Sequence, residues 1–153
     1  MRIDFAVVGT PATKGSARAF AFRRRNGKLG ASVVNDNPRG KSWEARVSAA
    51  AQDAMPLGVP RVGPVEVQLT FYLARPKSHY RTGKHSGELR DTAPMLPAGK
   101  PDIDKLARAV LDGLTGACIV DDAQVTTLLA RKRYAWVDWQ GGREGVGVVV
   151  VAI

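Results

Sequence analysis

Apolar residues fall at every second position from Val65 to Leu73 and at every third or fourth from Ile103 to Leu114. This change of period constrains the fold more than any other feature. Val65, Val67, Leu69, Phe71 and Leu73 alternate with Glu66, Gln68 and Thr70, the pattern of a half-buried strand. Ile103, Leu106, Ala107, Val110, Leu111 and Leu114 form one helical stripe, and Thr115-Gly116 ends it. Arg2–Val8 also alternates and predicts a strand. Residues 13–37 predict a basic hairpin, with strands at 19–22 and 31–34 around the tight-turn pair Asn26-Gly27. A helix is expected from Pro38, with Trp43, Val47, Ala50, Ala51 and Ala54 on its apolar stripe and Met55-Pro56-Leu57-Gly58 as its stop. Val125–Tyr134 predicts a strand, 136–143 a turn and 146–153 a last strand. Strands and helices mix without regular alternation. The expected class is α+β, a mixed β-sheet packed against two main helices in one compact domain over residues 1–153. Residues 75–100 show no period, and loops of that length are usually functional or disordered.

The charge is lopsided. Lys and Arg number 23 against 14 Asp and Glu, a net +9, and a surplus of this size favours an anionic partner such as nucleic acid. The basic residues gather in two stretches. Lys14, Arg18, Arg23, Arg24, Arg25 and Lys28 lie within 11–30 with no acid among them. Arg75, Lys77, Arg81, Lys84, Arg90 and Lys100 lie within 75–100 beside only Glu88 and Asp91. No apolar run approaches the ~18–20 residues of a membrane span, and the first residues lack the order of a secretory signal. The one cysteine, Cys118, excludes an internal disulfide framework and a Cys-rich zinc site. A cytoplasmic protein with no membrane partner is expected.

Against this basic background stand two acidic pairs, Asp102/Asp104 and Asp121/Asp122, one on each side of the second helix. Close carboxylates repel unless a cation shares their site. Hard oxygen donors without Cys or His suit Mg²⁺, with Mn²⁺ as a substitute. Such a site in a cationic protein points to metal-assisted cleavage of a phosphodiester. The short 115–120 connection is expected to bring Asp121 and Asp122 back toward Asp102 and Asp104. Arg108 would then clamp a phosphate oxygen.

The same residues have a purely structural use. An aspartate at a helix start caps free N–H groups, worth about 1 kcal/mol. Asp104, Arg108 and Asp112 are spaced for an exposed ion-pair ladder, worth ~0.2–0.5 kcal/mol per pair. Capping accounts for one aspartate of the first pair and leaves Asp121 and Asp122 unexplained.

Three segments, Asp102-Ile103-Asp104-Lys105-Leu106, Val110-Leu111-Asp112-Gly113-Leu114 and Asp121-Asp122-Ala123-Gln124-Val125, resemble the RusA family of Holliday-junction resolvases in order and spacing. The core of the resemblance covers 100–125, and the layout of the whole chain is loosely similar. The resemblance implies a RusA-like fold and a homodimeric, Mg²⁺- or Mn²⁺-dependent endonuclease, bacterial or phage-borne. Such an enzyme resolves four-way DNA junctions by symmetric paired nicks in recombination and repair. It implies Asp102, Asp104 and Asp122 as catalytic residues, with Asp121 a further metal ligand. The chain departs from the family pattern twice. Lys105 stands where Asn is frequent, and Arg108 stands where a functional lysine is common. An arginine stays protonated, so Arg108 serves as an electrostatic clamp; a proton-transfer role would fall to Lys105 or Lys100.

The expected DNA contacts are Lys14, Arg18, Arg23, Arg24, Arg25, Lys77, Arg81, Lys84, Lys100 and Lys105. His79 and His85 read as loop surface, Met95-Leu96-Pro97 as a packing patch with a junction wedge as its alternative, and Trp136 and Trp139 as hairpin packing. Cys118 reads as buried and inert. Two other functions fit the same residues: a nuclease for flaps or forks, and a catalytically silent structure-specific DNA-binding protein whose aspartates only cap and pair.

Overall fold

The computed structural model describes the chain except residues 1, 16, 36, 57, 137 and 138; the side chains of 17, 18, 20 and 33–35 also fall outside the described residues. In chain order the elements are β1 (Arg2–Val8), β2 (Ala17–Arg23), β3 (Leu29–Asn35), α1 (Pro38–Ala54), β4 (Val65–Leu73), α2 (Ile103–Leu114), β5 (Val125–Tyr134) and β6 (Gly145–Ala152). The α+β class expected from the two periods is the class found. β1, β6, β4 and β5 form one mixed sheet in that order, and β2 and β3 form a separate two-stranded ribbon.

The alternating strand β4 lies inside the sheet, antiparallel to β6 and parallel to β5. Val65, Val67, Leu69, Phe71 and Leu73 of β4 are buried together with Val146, Val148 and Val150 of β6 and Ile3 and Val7 of β1. On this face sit both helices. α1 contributes Trp43, Val47 and Ala51, and α2 contributes Leu106, Ala107, Val110 and Leu114. Each fully buried Leu or Val adds roughly 1.5–3 kcal/mol from apolar burial alone. The predicted stripe of α2 is right in its middle and shifted at its start, for Ile103 is exposed. Ala109 and Gly113 are buried instead, because α2 also packs on α1. A Cβ on Gly113 would come within 2.8 Å of the Glu44 carbonyl and of Val47 Cβ, so glycine sets how closely the helices cross.

The ribbon turns at Asn26-Gly27 as predicted, with Gly27 at φ 79° and its N–H bonded to the Arg24 carbonyl at 2.8 Å. The long stretch after β4 is ordered by links that no hydrophobic period records. Arg81 N–H bonds the Glu88 carbonyl (2.8 Å) and Arg90 N–H the His79 carbonyl (2.9 Å), making a small antiparallel excursion. Arg75 lies over the Tyr134 ring at 4.0 Å and donates to the Pro94 carbonyl at 2.8 Å. Trp139 packs on the outer face of the sheet, stacked on Tyr72 at 4.1 Å. No helix among the described residues is long and apolar enough to cross a membrane.

Candidate active site

Topology decides where the acids go. β4 and β5 are parallel, so α2, which joins them, must run back along the sheet. Its first residue therefore lies near the end of β5 and its last near the start of β5. Two contacts fix this. Lys132, late in β5, donates to the carbonyls of Gly99 (2.7 Å) and Pro101 (3.0 Å), just before α2. The turn Asp122–Gln124 leads directly into Val125 at the other end of the strand.

Asp102 and Asp104 thus sit at one end of α2 and Asp121 and Asp122 at the other. With 12 residues in the helix and a rise of 1.5 Å each, the separation is about 18 Å. Among the described residues, no three His, Cys, Asp or Glu side chains come close enough together to hold a metal ion. The expected return of Asp121 and Asp122 toward Asp102 and Asp104 does not occur within one chain, because parallel pairing places β5 with its start at the wrong end of the helix. All four donors are hard carboxylate oxygens, which fit a divalent cation in kind; the four of a single chain do not meet at one ion.

The individual carboxylates are in different states. Asp102 occupies the N-cap position of α2, yet its side chain accepts no capping hydrogen bond. It faces the Lys105 ammonium at 3.5 Å in a half-exposed pair, an interaction worth less than about 1 kcal/mol. Asp104 is exposed in the first turn. The ladder through Asp104, Arg108 and Asp112 is not formed. Asp112 pairs with Lys14 instead, and among the described residues neither Asp104 nor Arg108 engages a side-chain partner. Arg108 lies one turn beyond Asp104 and is exposed.

Asp121, by contrast, is tied into the fold. Its carboxylate accepts the Ala123 N–H at 2.8 Å. Gln124 completes the turn, accepting from the N–H groups of Val120 (2.8 Å) and Asp121 (2.9 Å) and donating to the carbonyls of Arg61 and Gly63. This bonding leaves Asp122 exposed on a rigid turn. The sequence marked Gln124 only as part of a motif; its four bonds hold that motif in shape.

The candidate DNA contacts also divide. Arg23, Arg24 and Arg25 are exposed where β2 turns toward β3, and Lys77 and Lys84 are exposed on the long loop. Lys100 and Lys105 flank Asp102 and, with Thr13 and Pro101, line a shallow cleft of about 460 Å³. Arg81 is tied to Asp91 at 3.0 Å and to the Leu89 carbonyl. Lys14 is tied to Asp112, and its N–H bonds the Lys105 carbonyl at 3.1 Å, so it braces the loop after β1 against α2. The Arg18 side chain lies outside the described residues. His79 meets the Tyr134 ring edge-on and His85 bonds Glu88. Met95 and Leu96 are exposed and Pro97 is buried. Cys118 is fully buried, which pushes its thiol up to about 11.

Lys132 and Glu144 were not singled out by the sequence. Glu144 accepts from the Thr10 hydroxyl (2.8 Å) and the Ala74 N–H (3.1 Å), and its carbonyl accepts the Gly9 N–H (2.9 Å), joining three segments beside the acid-bearing loop. Lys132 did carry a signal: strand alternation puts it on the same face as Ala130 and Tyr134, an inward direction for a lysine.

The family model described as endodeoxyribonuclease RusA matches residues 11–141. A Bacillus subtilis (strain 168) protein, the uncharacterized protein YqaN, is 30% identical over 133 residues, covering 87% of this chain and 88% of the relative.

Proposed function

Because this chain belongs to the RusA endodeoxyribonuclease family, we propose that it is a Mg²⁺-dependent endonuclease that resolves four-way DNA junctions by symmetric paired nicks, acting in recombination and repair in a bacterial or phage-infected cytoplasm. One observation carries the reading: Asp102 stands at a helix start without capping it, with Asp104 unpaired among the described residues in the turn that follows. Asp102 makes only a half-exposed pair with Lys105 and Asp104 none among the described residues, so neither the capping use nor the ladder use of this acid pair is realised. This favours an enzyme over a silent DNA-binding protein.

The active unit in this reading is a homodimer. A two-fold axis sets equivalent patches against each other, so it can bring the start of α2 from one chain to the Asp121–Asp122 turn of its partner, twice over. The surface beside α2 supports such pairing. β5 is an edge strand and carries exposed Leu128 and Leu129, and Ile103 at the start of α2 and Val120 before β5 are exposed as well. Unpaired edges with apolar side chains are natural places for a second chain.

Asp102 and Asp104 with the partner's Asp121 and Asp122 would hold the Mg²⁺ ion, or Mn²⁺ in its place, whose bound water is the stronger nucleophile and whose charge offsets that of the leaving 3′-oxygen. The chain's own cations do the rest. Arg108, exposed on the same helix as Asp104, grips a phosphate oxygen with its fixed fork of donors. Lys100 and Lys105 hold the strand at the acids, while Arg23, Arg24, Arg25, Lys77 and Lys84 engage phosphates of the junction arms. Two equivalent sites per dimer match two opposed nicks.

The test is incubation of labelled four-way junction, flap and duplex with and without Mg²⁺. Paired symmetric nicks in the junction are expected, and Asp104→Asn should abolish them while leaving junction binding intact. Binding with no cleavage in either Mg²⁺ or Mn²⁺ would overturn the enzyme reading. Preferential cutting of flaps would redirect it to another branched substrate.

A further inference from the structure

Lys132 is an unusual lysine. Its cross-strand partner in β4 is Phe71, a fully buried core residue, and directly paired residues point to the same face of a sheet. Lys132 therefore points to the helix side, where its neighbours along the strand are Ala130, packed on the core, and buried Tyr134. An ammonium in such surroundings needs partners. It finds them in the carbonyls of Gly99 (2.7 Å) and Pro101 (3.0 Å).

Those carbonyls flank the approach to Asp102. From the other side Asp102 is fixed by α2, whose Leu106 N–H bonds the Asp102 carbonyl at 3.1 Å. The Asp102 side chain itself accepts no capping bond. Its aim is set by the backbone before and after it together with its half-exposed pair with Lys105, and Lys132 grips the backbone before it. The grip comes from β5, which is paired along its length to the buried strand β4, and ends on a Pro- and Gly-containing segment (Pro94, Pro97, Gly99, Pro101) that has no regular structure of its own. Both bonds are charge-assisted.

We propose that Lys132 is a positioning residue for the acid pair: it anchors the 99–101 segment to the sheet so that Asp102 and Asp104 are presented in a fixed geometry. Its catalytic consequence rests on the nuclease reading above; its anchoring role does not. Lys132→Met keeps the length of the side chain and removes the donors and the charge, while Lys132→Arg keeps charge and donors in a different shape.

Two measurements on the full chain test the proposal. The first is backbone hydrogen exchange. In Lys132→Met, exchange across residues 98–106 should rise about tenfold or more, with amides of β4 and β6 unchanged as the control for an intact core. The second is junction cleavage as a function of Mg²⁺. The same variant should lose at least about tenfold in turnover and need more Mg²⁺ for half-maximal rate, with junction affinity in the absence of metal unchanged. Lys132→Arg should recover part of both effects. Unchanged exchange over 98–106 in Lys132→Met would overturn the anchor. Increased exchange with wild-type turnover and metal dependence would overturn its role in presenting the acids. If the wild-type chain cleaves no branched DNA, the nuclease reading falls and the exchange result still decides whether Lys132 holds the segment.

Discussion

Mixing two inactive variants should restore activity. The perturbation is Asp104→Asn in one preparation and Asp122→Asn in the other. These residues lie at opposite ends of a helix of 12 residues, about 18 Å apart at 1.5 Å per residue. A second ruler agrees: from Val125 to Lys132 along β5 is seven steps of about 3.3 Å, or about 23 Å. Carboxylate oxygens sharing one Mg²⁺ each lie about 2.0–2.1 Å from it, so no single chain can close that gap. If each site draws its two acids from different chains, either variant alone has two damaged sites per dimer. Removing a ligand that supplies roughly 4 kcal/mol of transition-state stabilisation slows each by about 10³-fold. In a mixed dimer both lesions fall in the same composite site, and the other site is wild type. With random exchange of subunits about half the dimers are mixed and each keeps one good site of two, so nicking should return to about a quarter of the wild-type rate. The product should change too. Mixed dimers nick one strand per binding event, so the paired, symmetric cuts of the wild type should give way to single nicks. The assay is a labelled four-way junction with Mg²⁺, read on denaturing gels after co-refolding the two variants, with differently tagged chains to show that mixed dimers formed. Confirmed mixed dimers with no recovered nicking would refute the shared site, since a site built within one chain is damaged in every subunit.

Two further outcomes concern other parts of the molecule. Replacing Arg23, Arg24 and Arg25 with Ala should weaken junction binding and lower the slope of log affinity against log salt by up to about 2.7, at roughly 0.9 for each phosphate that the variant no longer neutralises; an unchanged slope would remove the β2–β3 turn from the DNA surface. Burial, followed by the nearby Asp112 carboxylate, raises the Glu44 carboxyl above its ordinary value of 4.5. The folded state then binds that proton more tightly than the unfolded chain, so its stabilising effect is present below pH 4.5 and disappears as pH rises through the folded value. Glu44→Gln should therefore melt higher than wild type at about pH 7, with the difference shrinking below pH 4.5, as followed by thermal unfolding across pH.

What the sequence made legible was whatever one element decides for itself. The alternation in β4 and the stripe of α2 are local periods, and both elements lie where those periods put them. The Asn26-Gly27 turn follows from the freedom of one glycine. Residues 75–100 were opaque because their order comes from Arg75, Arg81 and Arg90 bonding to carbonyls and carboxylates at scattered positions, and such bonds leave no repeat. The burial of Ala109 and Gly113 was opaque for a related reason: it records a second partner, α1, and a helix stripe reveals a face but not how many neighbours share it.

The site was half legible for a deeper reason. Residue types suit a divalent-cation chemistry, but convergence depends on strand direction. Had β5 returned antiparallel to β4, its start would lie near the beginning of α2 and the four aspartates could meet within one chain. Parallel pairing reverses this, and no residue between Leu114 and Val125 announces it. The motif nevertheless holds one clue. Gln124 and Asp121 use their polar atoms to build a turn that leaves Asp122 exposed, at a place where its own chain completes no group of three ligating side chains among the described residues. Such a turn has a use if the further ligands arrive from outside. The crossover that separates the pairs is thus the feature that would make each cutting centre depend on a partner, and a nuclease that must cut two opposed strands gains from being inert until two chains have assembled on the junction.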